Sequence, residues 1–402
     1  MSSSDTIPVR RRQVFYIPGY DPIHPRRYRE LYRKQSAEQA DISGYEISQS
    51  PKQGAGRFGW HVEAVIDGQK TLTDFDVLVW SDIVRDSMGK GVFGTYLSLL
   101  RTAWVYISSG ALFRLMRLRK GPVITALYPV LFLLMQLIFA LLLAWGLWRL
   151  LALIHPWLGP AGLIIIPLVL DWFRKHDNRF FAYYLMHDYA YSARFKGAYP
   201  PALMARMSEF VDEITQALQG DADEVLIVGH SSGAHLAVTV LADLIRTGKA
   251  RATGPALGFL SLGQVVPMVS FLKNAQVLRR DLAYLCTRDE LTWVDVSAPG
   301  DGACFALCDP VAVTGVAPEG KRWPLVLSAA FSQTLSPERW KAMRWRFFKL
   351  HFQYMCAFDR PADYDYFQIT AGPMTLAARY HTRAPSKSRI EIPISGFKDM
   401  AL

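Results

Sequence analysis

The chain has 402 residues, 51% of them apolar and 20% charged, with Lys+Arg 45 against Asp+Glu 35 and a formal net charge of +10. That balance excludes a disordered chain, Gly 28 and Pro 23 exclude a collagen-like one, and Cys 4 excludes a disulfide scaffold. Neither zinc-finger spacing, an RNP-type motif nor a Gly-rich phosphate loop with a Lys occurs. The positive charge therefore points to an anionic membrane surface and not to nucleic acid.

In chain order, MSSSDTIPVRRR is polar and then basic, without the apolar core of a signal peptide. Gln13–Ile17 reads as a short strand running into Pro18-Gly19, and Arg26–Ala40 as a charged helix. Tyr45–Ser48 and Trp60–Ile66 alternate as strands around a Gly-rich turn, and Asp76–Trp80 is a further apolar run. Val92–Leu118 is apolar with scattered polar residues and a basic end. It fits amphipathic helices lying in a membrane interface and fits core helices equally.

From Gly121 to Leu170 the one fully charged residue is Arg149. About 20 apolar residues cross a bilayer core, so this block holds two passes. The HPWLGPAG segment at His155–Gly162 marks the break, with a first pass over Val123–Leu153 and a shorter second one over Leu163–Phe173. Arg114, Arg117, Arg119 and Lys120 precede the block, and Arg174, Lys175 and Arg179 follow it. Basic flanks on both sides put both ends in the cytoplasm and the domain around the hairpin on the cytoplasmic face of an inner, cytoplasmic membrane.

Beyond the hairpin, Pro201–Leu218 carries apolar residues at helical spacing. Glu224–Val228 is a buried strand, Ala234–Arg246 a helix, and Ala256–Leu262 and Leu291–Val296 are strands. Strands alternating with helices predict an α/β fold with one central sheet and helices on both faces. The expected organisation is an N-terminal part of that domain over 1–90, interfacial helices over 91–120, the transmembrane hairpin over 121–175 and the remainder of the domain over 176–402. Cys304 and Cys308 are four apart without a second pair or a His nearby, so no metal is expected, and nothing calls for a cofactor.

The strand EVLIV runs straight into Gly229-His230-Ser231-Ser232-Gly233, and a small-residue helix follows. This is G-x-S-x-G in its strand–turn–helix context. The turn lifts a serine hydroxyl above the sheet edge, needs very small residues two before and two after it, and leaves the Ser232 amide at a helix N-terminus, where an oxyanion binds. In these residues the chain resembles the α/β-hydrolase superfamily, lipases and esterases in particular. The resemblance implies a chain order of Ser, acid, His, and a second oxyanion donor in the loop after an early strand. That loop is Pro18-Gly19-Tyr20-Asp21-Pro22, with PGY where the family usually has an HG pair, and the Tyr20 amide is the expected donor.

The acid is expected beyond the strand LTWVDV, where Asp301 lies in SAPGDG, an arrangement similar to the acid loop of class 3-type lipases. Asp309 in a second turn and Asp295 within the strand are the alternatives. Of the two downstream histidines, His351 in KLHFQYMCAF is preferred over His381 near the basic tail. His230 and His235, beside the serine, read as local packing residues. The basic, aromatic run Arg339–Lys349 follows a helix start at Ser336-Pro337 and fits either an anionic lipid surface or a solvated domain face. Together these residues predict a membrane-anchored serine hydrolase acting on an acyl ester, lipidic in character, through Ser231, His351 and Asp301. A non-catalytic module of the same fold, and acyl transfer or thioester cleavage on the same serine, are the other readings.

Overall fold

A computed structural model describes residues 8–52, 57–89, 91–250 and 254–401. Eight strands form one mixed sheet: β1 (Arg11–Ile17), β2 (Glu46–Pro51), β3 (Gly59–Ile66), β4 (Gln69–Val77), β5 (Glu224–His230), β6 (Ala256–Leu262), β7 (Thr292–Ser297) and β8 (Leu325–Ser328). Their order is β2-β3-β4-β1-β5-β6-β7-β8. The run from β4 through β8 is parallel, and β2 and β3 join one edge antiparallel.

Residue type follows position in the sheet. Every residue of central β5 is buried, as a strand covered on both faces requires. One apolar core joins the helices Pro201–Leu218, Gly233–Arg246 and Gln276–Leu285 to one face of the sheet. A second core, rich in aromatics, sets helix Arg26–Ser43 and the segment around Tyr354 to Tyr366 against the other. The chain is thus α/β with helices on both faces.

Two expectations shift. Of the apolar run Asp76–Trp80 only Asp76 and Val77 belong to β4, whose first half, QKTLT, carries alternating polar residues. β8, four residues long at the sheet edge, has no sequence signal strong enough to mark it. The Gly-rich turn expected after β2 falls on residues 53–56, outside the described residues.

The apolar block forms a helical hairpin. Its first helix, Lys120–Ile154, has 35 residues, and a 3₁₀ segment Pro156–Ile164 leads into the helix Ile165–Lys175. The second leg therefore begins at the turn and spans Pro156–Lys175, longer than Leu163–Phe173. At 1.5 Å per residue the first helix is about 52 Å long, well beyond a bilayer core of about 30 Å. The legs meet over small residues: any side chain at Gly162 would strike the Trp148 backbone and the Ala144 carbonyl. Both legs are long and apolar enough to cross a membrane, and most of their surface is not covered by the rest of the chain.

Helices Val92–Ser108 and Ala111–Leu118 pack against the domain by one side only. Leu99, Val105 and Tyr106 are buried against the domain, whereas Phe93, Leu100 and Trp104 on other faces are exposed.

Candidate functional site

At the C-terminal edge of the parallel strands, β5 ends at His230 and the helix Gly233–Arg246 begins. Ser231 lies between them with φ 56, a left-handed conformation costly for a residue with a side chain. The surroundings hold it there. Its amide donates to the Leu262 carbonyl at 2.9 Å, and its own carbonyl accepts from Ala234 at 3.2 Å. The flanking glycines permit the crossing. A methyl group on Gly229 would lie 2.8 Å from the Ala234 Cα, and one on Gly233 would overlap the carbonyl oxygens of Ile17 and Pro18 at the end of β1. Gly19 in turn lies directly against the Ser231 side chain. Among the described residues the Ser231 hydroxyl has no hydrogen-bond partner.

The loop after β7 brings Asp301 to His351, the last residue of a short helix after β8. The His351 Nδ1 lies 2.7 Å from the Asp301 Oδ2. The same oxygen accepts from the Tyr354 hydroxyl at 3.0 Å, and Oδ1 accepts from the Ala303 amide at 2.9 Å. Burial alone would raise the Asp301 carboxyl. The neighbouring His351 charge, its hydrogen bond and the Ala303 amide outweigh that, and the carboxyl is held below its ordinary value. With Nδ1 committed to the carboxylate, Nε2 is the ring nitrogen left for a reacting group. The His351 carbonyl accepts from the His230 Nε2 at 2.9 Å, and burial first, then the His351 charge, pushes His230 down to about 3, keeping it neutral. His230 thus anchors the backbone of His351.

Among the described residues the backbone amides of Ser232, just ahead of the helix, and Tyr20, after β1, have no protein acceptor. Tyr20 is fixed at both ends. Its hydroxyl bonds to the Ser87 Oγ at 2.5 Å, and its carbonyl accepts from the Tyr184 hydroxyl. Ser231, Ser232, Tyr20 and His351 all line one cavity of about 620 Å³, within the range of about 300–1,000 Å³ usual for ligand sites.

The alternative residues lie elsewhere in the fold. Asp309 caps the helix Pro310–Thr314 and pairs with Lys321 at 2.5 Å. Asp295 is buried within β7, where it accepts from the Ser261 Oγ at 2.6 Å. His381 is exposed and does not line the cavity, and His235 bonds to Tyr199. Ser232 and Tyr20 come together with Ser231 through the β1 and β5 loops, as their spacing from the two strands requires.

Sequence reasoning missed three residues here. Tyr354 lies one helical turn beyond His351, so an H-x-x-Y pattern was its available signal. Thr125, on the long apolar helix, donates to the Gly302 carbonyl at 2.7 Å, next to Asp301, and Gly121 lies against the Gly302 Cα. Asp188, on helix Ala182–Arg194, lines the cavity. The basic run Arg339–Lys349 divides as well: Trp340 lies over Gly300 in the acid loop, Trp345 is 72% exposed, and Phe347 and Phe348 reach the cavity.

Among the described residues no three His, Cys, Asp or Glu side chains come together as a metal site, and the four cysteines are unpaired. Comparison of the chain with protein-family models, with curated proteins and with solved structures finds no match in any of the three.

Proposed function

We propose that the chain is a membrane-anchored serine hydrolase of α/β-hydrolase type that cleaves an acyl ester, its catalytic domain on the cytoplasmic side of the inner membrane. One observation carries the reading. A serine held in a strained strand-to-helix turn shares a cavity with a histidine whose other nitrogen is tied to a buried carboxylate. The chain order Ser231, Asp301, His351 agrees with it.

In this mechanism the His351 Nε2 takes the Ser231 proton as the alkoxide attacks the ester carbonyl. Asp301 holds the imidazole tautomer and stabilises the imidazolium, and Tyr354 and the Ala303 amide keep the carboxylate in place. The amides of Tyr20 and Ser232 receive the oxyanion without reorganisation. His351 returns the proton to the leaving alcohol, and water enters by the same route to release the acid. The exposed apolar hairpin, its basic flanks and the aromatic residues at the cavity edge support a lipidic substrate presented at a membrane.

A fluorophosphonate probe should label the wild-type protein and leave Ser231→Ala unlabelled, and hydrolysis of a short p-nitrophenyl ester should fall by several orders of magnitude in that variant. Retention of a tenth of the activity would overturn the reading.

A further inference from the structure

One helix contributes a stripe of residues to the cavity wall. Leu185, Asp188, Tyr189 and Ser192 recur at helical spacing along Ala182–Arg194, and all four line the cavity. The opposite side of that helix is spent on packing, where Met186 and Ala190 join Leu99 and Leu133 in a small core. A carboxylate therefore stands on this stripe between Leu185 and Tyr189.

Three carboxylates line this cavity, and two are already satisfied. Asp21 accepts from the Ile23 amide and the Tyr28 hydroxyl and pairs with Arg27 at 3.2 Å. Asp177 accepts from the amides of Tyr183 and Tyr184. Among the described residues Asp188 has neither a hydrogen bond nor an ion pair. Burial pushes its carboxyl up to about 7, and the charge of His351 offsets this only in part. Its charge reaches Tyr20, Tyr106, Tyr184 and Tyr189, all on the cavity wall. The hydroxyls of the first three are committed to Ser87, to the Met268 carbonyl and to the Tyr20 carbonyl. Their rings consequently contribute aromatic surface and no donor. Arg27 lies 4.6 Å from the centre of the Phe352 ring and is occupied by Asp21.

The cations that line the cavity, Arg27, Lys349 and His351, form no ion pair with Asp188, so this carboxylate among aromatic rings is left without a direct counter-charge. Aromatic faces with a nearby anion are the surroundings that bind quaternary ammonium groups. We propose that Asp188 is the counter-charge for an ammonium or quaternary ammonium group on the alcohol side of the ester that Ser231 attacks. Asp188 is then the residue that sets alcohol specificity. The inference rests on the hydrolase reading given above and names a substrate class within it.

The test compares two esters of one acyl chain that differ only in charge: butyrylcholine and 3,3-dimethylbutyl butyrate. Wild-type protein in detergent should prefer the choline ester in kcat/KM by roughly tenfold, an ordinary magnitude for a desolvated cation on aromatic rings. In Asp188→Asn, which preserves side-chain volume, the ratio of the two should fall to within about twofold. Tetramethylammonium should inhibit wild-type hydrolysis of the neutral ester competitively, a measurement that stands even where the variant does not fold. Equal kcat/KM on the two esters without tetramethylammonium inhibition, or an unchanged ratio in a folded Asp188→Asn, would overturn the assignment. Hydrolysis of neither ester by wild-type protein that also resists the fluorophosphonate would instead overturn the hydrolase reading itself.

Discussion

Replacing Asp301 by Asn tests the proposed chemistry at the group with the best-defined surroundings. The two carboxylate oxygens accept three hydrogen bonds, from His351 Nδ1, the Tyr354 hydroxyl and the Ala303 amide. An amide of the same shape has one acceptor oxygen. If its oxygen stays with Ala303, its NH₂ faces two donors. His351 relieves that conflict by moving its proton to Nε2, so that Nδ1 accepts. The nitrogen that must take the Ser231 proton is then already protonated. A wrong tautomer of this kind costs about 10⁴ in kcat, which is about 5.4 kcal/mol of transition-state stabilisation. Tyr354→Phe leaves the charge and the tautomer in place and removes one hydrogen bond to an ionised acceptor, worth about 1.5–3 kcal/mol. It should therefore cost about ten- to a hundredfold. Steady-state rates on a short p-nitrophenyl ester, normalised to fluorophosphonate-titratable sites and checked by circular dichroism, give both values. An Asp301→Asn protein within about tenfold of wild type would refute the assignment of Asp301 and the reasoning from its hydrogen bonds.

Asp295 should make the fold pH-dependent. Burial above all, with the neighbouring Asp309 adding to it and the Ser261 hydrogen bond opposing, lifts its carboxyl from 3.8 to about 7. Between those values the unfolded chain releases a proton that the folded chain keeps, so stability falls as pH rises from about 4 to about 7, by at most about 4 kcal/mol. Asp295→Asn should gain stability over wild type at pH 7.5 and not at pH 4, and parallel unfolding curves at the two pH values would contradict the burial argument. Alkaline carbonate washing should leave the wild-type protein in the membrane pellet, and its appearance in the supernatant would show that the hairpin does not span a bilayer.

The fold and the site were legible in the sequence to different depths. Central strands such as β5 and β6 are buried on both faces and announce themselves as unbroken apolar runs. The turn at Ser231 is equally plain, because glycine is the one residue that fits at 229 and 233. β4 and β8 were obscure for the opposite reason. Near the edge of a sheet, half the side chains face polar surroundings, and four residues give no period to read. Asp301 could be preferred to Asp309 from its place just beyond the β7 strand, but its hydrogen bond to His351 and the capping of a helix by Asp309 are visible only in the structure. Thr125 and Asp188 left no trace of their roles, and Tyr354 left only its spacing from His351. Each acts through one contact, or through the lack of one, made across a distance in sequence that no local pattern encodes.

The contact between Thr125 and Gly302 changes what the hairpin is. A tether can be cut and the tethered object keeps its properties. Here the first turns of the long apolar helix brace the loop that carries Asp301, and Pro122 and Thr125 form part of the cavity wall. Excising residues 121–175 to obtain a soluble fragment would remove a strut from the acid loop and open one side of the cavity to water. The hairpin and the Asp301 loop are joined through this contact, so under the proposed function a tilt of the helix in a bilayer is also a displacement at the carboxylate.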